Sequence, residues 1–508
     1  MGQLISCSSK PSRQMLPRKA EGDMADSSSD LSQPPSHSDG LPVLKMAKGH
    51  YWYPADGPRI LDACGGAGVA CLGHGRRDVI KAVNAQMEAY TYASYAHFKC
   101  KPVEELSDWL IKSTNGKMEK AYIMCSGSEA MEAALKLTIE YFGWVGQPQR
   151  TNFIARHESY HGTTLGALSI SGHHTRREPF HALLCPPNNN NNNNNSNNNS
   201  SSSSSNFHHI PACHPYRQRL TPSESDAAFV ARKRAELEAA FARLGPSTVA
   251  AVVLEPVVGA ALGCSPPVPG YLAAVKAVCR RHGALLVYDE VMCGMGRVGG
   301  GGVHAWQSLG EDDYEGDEDD DEGVVVPDLQ AVAKGFAGGY QPASALLVGG
   351  RVARFMEREG RVFTHGHTYQ NHPVVAAAAL QVQRAVEREG LVGNVTAQGE
   401  LLGRLLRERL GQHPNVGDVR GKGLFWGVEF VKNKVTKEPF EPGLKVAERV
   451  HTRAVREWRV LVYHGQGCAG RGRGDHIMIM PAYTVSSKLV AKIVERVACA
   501  VEEVFREL

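Results

Sequence analysis

The residues best suited to chemistry stand at the ends of short apolar runs. Leu329-Gln-Ala-Val332 leads through Ala333 to Lys334, and glycines follow at 335, 338 and 339. A lysine at the end of a buried strand loses hydration, which disfavours its ammonium form. Part-deprotonated, it is a nucleophile able to form a Schiff base with a carbonyl. Two carboxylates hold similar places: Glu255 follows VAAVVL and Asp289 follows ALLVY. A carboxylate behind a hydrophobic strand is costly unless it meets a positive partner. An arginine serves, and so does a protonated pyridine nitrogen. The fourth feature is Ser126-Gly127-Ser128, between the run AYIMC and the helical pattern MEAALKLTIEYF. Small residues there let the backbone approach an oxyanion, and the free N–H groups of a helix start attract phosphate.

Each feature alone has an ordinary reading. Lys334 is then a surface lysine opening a glycine-rich loop, and SGS is any strand-to-helix turn. Together they match what pyridoxal phosphate requires: an anchored phosphate, a ring nitrogen kept protonated by a carboxylate, and an aldehyde held by lysine. The freed lysine amine can then carry a proton from the substrate's Cα, and Tyr160 offers an aromatic face for the ring.

Elements able to position these groups are visible in the pattern. Helical periodicity over Val79–Tyr90, Val103–Ile111 and residues 224–244 alternates with the strand-like runs AYIMC, NFIAR, VAAVVLEPV, ALLVYDE and PDLQAV. That alternation predicts an α/β fold with a mainly parallel sheet, whose sites lie at the carboxyl ends of the strands. A long amphipathic region (374–411), short strands around GLFWGVEF and HIMIM, and a last helix from Ser486 predict a smaller α+β unit built with the N-terminal end. The expected division is a disordered extension over 1–40, a small-domain segment over 41–78, a large domain over 79–350 and a small domain over 351–508. Two insertions interrupt it. The Asn/Ser tract (186–206) is low-complexity, and the acidic run (311–323) reads as a solvated loop.

Composition narrows the partners. The 508 residues carry a net charge of only +3, and no basic block is interleaved with aromatics, so nucleic acid is not an expected partner. No run reaches the ~18 apolar residues of a membrane span. The twelve cysteines form no C-x-x-C pair, which fits a reducing compartment. His365 with His367, and His173 with His174, lack partner ligands at metal spacing, so no metal is expected. The opening MGQLISC fits the pattern for myristoylation of Gly2, with Cys7 placed for a second acyl chain. The expected compartment is the cytoplasm, with a mitochondrial or an acyl-anchored location as alternatives.

The motifs LDACGGAGVACLGHG, SGSEAMEAALKL, YHGTTLGALSISG, LEPV, LLVYDEVMCGMGRVG, PDLQAVAKGFAGGYQP, HGHTYQNHPVVAAAAL and VRGKGLFWGVEF occur in this order from about residue 45 to the C-terminus. In that set and order the chain resembles the class III (ω-type) pyridoxal-phosphate aminotransferases. The resemblance implies a type I fold and a homodimer with shared sites. It also implies ping-pong transfer of an amino group from an amino acid or ω-amine to a 2-oxo acid. Gly127 and Ser128 would bind the phosphate, Tyr160 would stack on the ring with His161 beside it, and Val291 would pack against the ring. Asp289 would pair with the pyridine nitrogen, Lys334 would carry the Schiff base, and Glu255 falls at the family's active-site glutamate. Thr368 would reach the phosphate in the neighbouring subunit, and Arg420 would bind a substrate carboxylate. The alternative roles are a helix N-cap for Thr368, a structural ion pair for Arg420 and a loop anchor for Glu255. Met292 departs from the family's glutamine and cannot donate a hydrogen bond. Gln341 and Ser344 sit in an altered glycine loop and are expected to reshape the substrate mouth. An aminomutase, a decarboxylating transaminase, an epimerase or a silent binding protein on the same fold are the rival readings.

Overall fold

The computed structural model describes residues 42–184, 205–310 and 324–508. The N-terminal extension with its Gly2/Cys7 motif, residues 186–204 of the Asn/Ser tract and the acidic run 311–323 lie outside the described residues.

The chain opens on β1 (Leu44–Lys48), β2 (Tyr51–Pro54) and β3 (Ile60–Asp62). The centre is built from β4 (Met118–Met124), β5 (Asn152–Arg156), β6 (Phe207–Ile210), β7 (Val249–Leu254), β8 (Leu285–Asp289), β9 (Leu329–Val332) and β10 (Ser344–Gly349). These seven form one sheet in the order β4-β10-β9-β8-β7-β5-β6, in which only β10 runs against its neighbours. Every residue of β7, β8, β9 and β10 is buried, as expected of strands covered on both faces. Their Val, Leu and Ala content follows from that cover. Parallel neighbours need crossovers, and helices supply them: Tyr271–His282 joins β7 to β8 and ends at Gly283, whose φ of 71° closes the turn in the left-handed region.

The C-terminal strands β11 (Val416–Lys422), β12 (Phe425–Phe430), β14 (Tyr463–Gly470) and β15 (Arg473–Ile479) make a second sheet, ordered β11-β12-β15-β14. The short β13 (Val460–Leu461) instead runs parallel to β3, so the two chain ends share one sheet. The amphipathic region divides at Gly390 (φ 59°) into two helices, Pro373–Arg388 and Leu391–Leu410. The first of these bridges two hydrophobic clusters. Val375 and Ala379 pack in the cluster under the large sheet with Leu254, Tyr288 and Phe336. Val382 and Val386 pack with Leu61, Leu402, Phe430, Ile477 and Val497 from the chain ends. Among the described residues no helix is long and apolar enough to cross a membrane.

One buried cation fastens these parts beside the strand ends. Arg297, 1% exposed, donates from Nη1 to the carbonyls of Leu424 (3.2 Å) and Pro481 (2.6 Å), and from Nη2 to Gly68 (3.1 Å). Its guanidinium lies 4.6 Å from the ring centroid of Tyr483. The same side chain thus ties the loop after β8 to both chain ends. Replacing it leaves three buried carbonyls short of a donor, each worth roughly 1–3 kcal/mol when unsatisfied. Arg297→Met is expected to lose about 3 kcal/mol or more, read as a lower denaturant midpoint at unchanged slope. A midpoint equal to the parent's would remove Arg297 as the fastening.

Candidate active site

Adjacent parallel strands bring their carboxyl ends together, and that places the polar residues. Asp289 ends β8, Glu255 follows β7, and Lys334 follows β9 by one residue. The Ser126–Ser128 turn follows β4, which points the same way as β9 across the reversed β10. Tyr160 and His161 lie in the segment after β5. Gly127, Ser128, Tyr160, His161, Glu255, Asp289, Val291 and Lys334 all line one cavity of about 510 Å³.

At one side of the cavity stands a helix N-terminus. Ser126 caps Gly127–Trp144 through a reciprocal pair with Glu129, the Glu129 amide donating to Ser126 Oγ (3.2 Å) and the Ser126 amide to Glu129 Oε2 (2.7 Å). That satisfies the third helical amide and leaves those of Gly127 and Ser128 without an intrahelical acceptor, facing the cavity. A Cβ on Gly127 would come within 2.8 Å of Val291 Cγ1, so the phosphate-side turn and the ring-side valine meet without room for a side chain. Ser128 Oγ accepts from the Thr163 amide (3.0 Å), which joins the turn to the Tyr160 loop.

The ends of β7 and β8 bring two carboxylates to the same cavity. Asp289, 4% exposed, accepts from its own chain through the Val291 amide (3.0 Å), and its other oxygen lies 2.8 Å from His161 Nδ1. His161 is anchored by its amide to Ser171 Oγ (2.8 Å), and its buried Nε2 has no partner among the described residues. Glu255 takes the amides of Tyr160 (3.1 Å) and Gly259 (2.7 Å), so it also holds the loop carrying the aromatic ring. Burial, with Asp289's like charge assisting, raises Glu255 above the usual carboxylate range; His161 and the two amides oppose the rise.

Lys334 sits at φ 47°, in the left-handed region that few non-glycine residues adopt, and its Nζ donates to Ala67 O (3.1 Å). Burial lowers its amine from 10.5 to about 8, while Asp289 and Glu255 pull it upward. A cavity that holds an anion cradle, two carboxylates and a part-deprotonated amine fits pyridoxal phosphate. The cradle suits the phosphate, and an aspartate suits a protonated ring nitrogen.

Two expected residues lie elsewhere. Thr368 is exposed in a turn, its carbonyl accepting from Tyr92 Oη (3.0 Å), and the N-cap of the following helix is His372, so the N-cap role does not hold. Arg420 is 7% exposed and fully engaged: Nη1 meets Asp418 (3.0 Å) and Glu429 (2.7 Å), and Nε donates to Leu262 O (2.9 Å). It lines a separate cavity with His214, Tyr216 and Ser265. Conversely, Ala67, Val69, Arg176, Ala260 and Tyr463 line the first cavity without having been singled out. Ala67 and Val69 lie within the motif LDACGGAGVACLGHG, but Arg176, in HHTRREPF, carries no local signal.

The chain matches the family model described as Aminotransferase class-III over residues 33–501. It is 43% identical over 449 residues to an aminotransferase of Gibberella zeae, covering 88% of this chain and 81% of the relative. Among solved structures, an (S)-enantioselective ω-transaminase from Thermomicrobium roseum superposes with a TM-score of 0.77 at 32% identity, over 92% of this chain and 93% of that one. An ω-transaminase from Pseudomonas jessenii in complex with PMP gives 0.78 at 28% identity, over 92% and 93%.

The lysine's environment predicts a titration. Competitive acylation of the cofactor-free chain should label Lys334 half-maximally near pH 8, because burial lowers its amine from 10.5 to about 8. Asp289→Asn should move that point lower, because the carboxylate favours the ammonium form. The sign of the linkage follows: folded Lys334 holds fewer protons than unfolded Lys334 between about 8 and 10.5, so its share of stability rises with pH across that window. A half-point near 10.5 would mean that the amine is not desolvated.

Proposed function

The chain belongs to the class III aminotransferase family and is a pyridoxal-phosphate-dependent aminotransferase of the type I fold, and from that premise we propose how its own residues run the reaction. The reaction is transfer of an amino group from an amino acid or ω-amine to a 2-oxo acid, in two half-reactions at one site. The carrying observation is the convergence of Lys334, Asp289 and the Gly127–Ser128 turn on one cavity.

The amides of Gly127 and Ser128 would hold the phosphate, and Tyr160 and Val291 would flank the ring. Asp289 would keep the ring nitrogen protonated, and Lys334 would hold the aldehyde. When bound, the cofactor supplies an electron sink for the charge left at the donor's Cα. Lys334 Nζ, with a pKa of about 8, is poised to take the Cα proton near neutral pH. His161 buttresses Asp289 through the 2.8 Å contact and fixes which carboxylate oxygen faces the cavity. Glu255 holds the Tyr160 loop by two amide hydrogen bonds and raises the amine's proton affinity beside Asp289. For Arg420, the engagement with Glu429, Asp418 and Leu262 supports the structural ion pair.

The domain division at about residues 78 and 350 is retained in this reading, with the site between the large sheet and the chain ends. So is the homodimer, which is supported by the surroundings of Thr368. Tyr92 (44% exposed), Tyr95 (46%) and Tyr369 (59%) leave aromatic rings open to solvent there, and Phe98 (66%) is exposed on the same segment as Tyr92 and Tyr95; exposed apolar residues that cluster in this way mark an interaction surface. In the dimer Thr368 would reach the phosphate of the neighbouring site.

Two measurements test these assignments. Holoenzyme mixed with an amine donor alone should convert the cofactor to its amine form, and Lys334→Ala should slow that step by roughly 10²–10⁴-fold, the usual value of a positioned base. No conversion across a broad donor panel would defeat the transaminase mechanism proposed. Sedimentation should give twice the chain mass, and Phe98→Asp should shift the protein to monomers that release the cofactor. A parent protein sedimenting at a single chain mass would dispose of the shared site.

A further inference from the structure

The cofactor cavity continues into a second, outer one of about 650 Å³, and Arg176, Ala260 and Tyr463 line both. The outer chamber is bounded by His173, Lys445, His451 and His464. Two of these have partners: Lys445 pairs with Glu448 (3.5 Å), and His451 Nδ1 lies 2.7 Å from Val462 O. Arg176 at the neck is different. Among the described residues no carboxylate is paired with it, and its guanidinium lies 4.3 Å from the centroid of the Tyr160 ring. An arginine resting on an aromatic face keeps its edge donors free in a fixed plane, the geometry that matches a carboxylate. Its charge also reaches the reacting amine, since Arg176 is among the groups that lower Lys334. Arg420, by contrast, has its donors taken by two carboxylates and a carbonyl.

We propose that Arg176 is the specificity-determining residue of the amino-donor site: it binds the carboxylate of the donor at the neck between the two cavities, with the donor's amine in the inner cavity and any part of a larger donor beyond that carboxylate extending into the outer chamber. The reaction written above is presupposed for the turnover arm. The enzyme then favours donors that carry a carboxylate over simple amines of the same length.

The test has one arm with turnover and one without. In the first, holoenzyme half-reactions are run with 4-aminobutyrate against n-butylamine and with alanine against ethylamine. Loss of a charge-assisted pair worth about 1.5–3 kcal/mol corresponds to roughly 10–150-fold. Arg176→Gln should therefore raise KM for the two amino acids by that factor while leaving the two amines within about threefold, and Arg176→Lys should recover part of the loss. In the second arm, parent and variant holoenzymes are titrated with propionate and glutarate, which carry no amine and need no turnover. The parent should bind at least one of them and Arg176→Gln should lose that binding. Equal losses for amines and amino acids, or carboxylate binding unchanged in Arg176→Gln, or no carboxylate binding by the parent, would each overturn the assignment. Carboxylate binding by the parent without any half-reaction would instead refute the transaminase mechanism and leave the Arg176 site standing.

Discussion

Burying the Lys334 amine is the constraint on which the site depends. A lone ammonium in a cavity of this kind would be costly, and desolvation moves the group towards its neutral form. Asp289 and Glu255 oppose that shift from neighbouring strand ends, so the amine comes to rest near pH 8 rather than far below. Too little burial would leave a permanently protonated lysine with no nucleophilicity. Too little negative charge would leave one unable to hold a proton once it has taken it. The strand order β9-β8-β7 is what sets these three groups side by side, because parallel neighbours end on one edge.

The two carboxylates are kept apart in role by their partners. Asp289 is held by a histidine and a single amide, with room to meet a positive group. Glu255 is saturated by two amides, and its energy goes into fixing the Tyr160 loop. Both are buried, so each is tolerated only because donors surround it. The same reasoning explains Glu290, which is fully buried yet takes the amides of Ala305 (2.7 Å) and Trp306 (2.9 Å) and is pushed up to about 7 by burial. It shapes the turn after Asp289 and does not line the cavity.

Strand-end chemistry was legible in the sequence because a short, mostly apolar run reads as a buried strand, and a charged residue at its end must meet a partner. VAAVVL before Glu255, LLVY before Asp289 and LQAV before Lys334 each appear as a buried strand. The helical patterns held for the same reason, with their ends shifted by a residue or two. Contacts between distant segments were not legible. The partnership of Arg420 with Glu429 lies across two paired strands, and nothing in the local pattern tells an arginine that meets a substrate from one that meets β12. Arg176 was hidden in the opposite way, since its neighbours in HHTRREPF form two single-turn helical pieces with no periodicity to read. The split at Gly390 was missed because the apolar spacing on either side is continuous, and only the φ of 59° there breaks the helix.

Met292 shows how the chain ends enter the chemistry. It lies at the cavity wall, at the position where the family resemblance implies glutamine, and it is 9% exposed. A Cβ on Gly259 would come within 2.5 Å of its sulfur, and one on Gly68 would touch its terminal methyl at 4.0 Å, so the thioether is wedged between the Glu255 loop and the N-terminal segment. That wedge is apolar, and a polar side chain of the same length would have to find a partner there or remain unsatisfied. Gly68 is also where Arg297 donates, and the carbonyl of its neighbour Ala67 accepts a hydrogen bond from Lys334 Nζ. One short glycine-rich stretch thus sets the position of the reacting amine, the apolar wall and the buried cation at once. The catalytic strand ends are made by the large sheet, but the distance from lysine to wall is decided by how residues 65–69 are held. For that reason the site is complete only when the two ends of the chain have closed on each other.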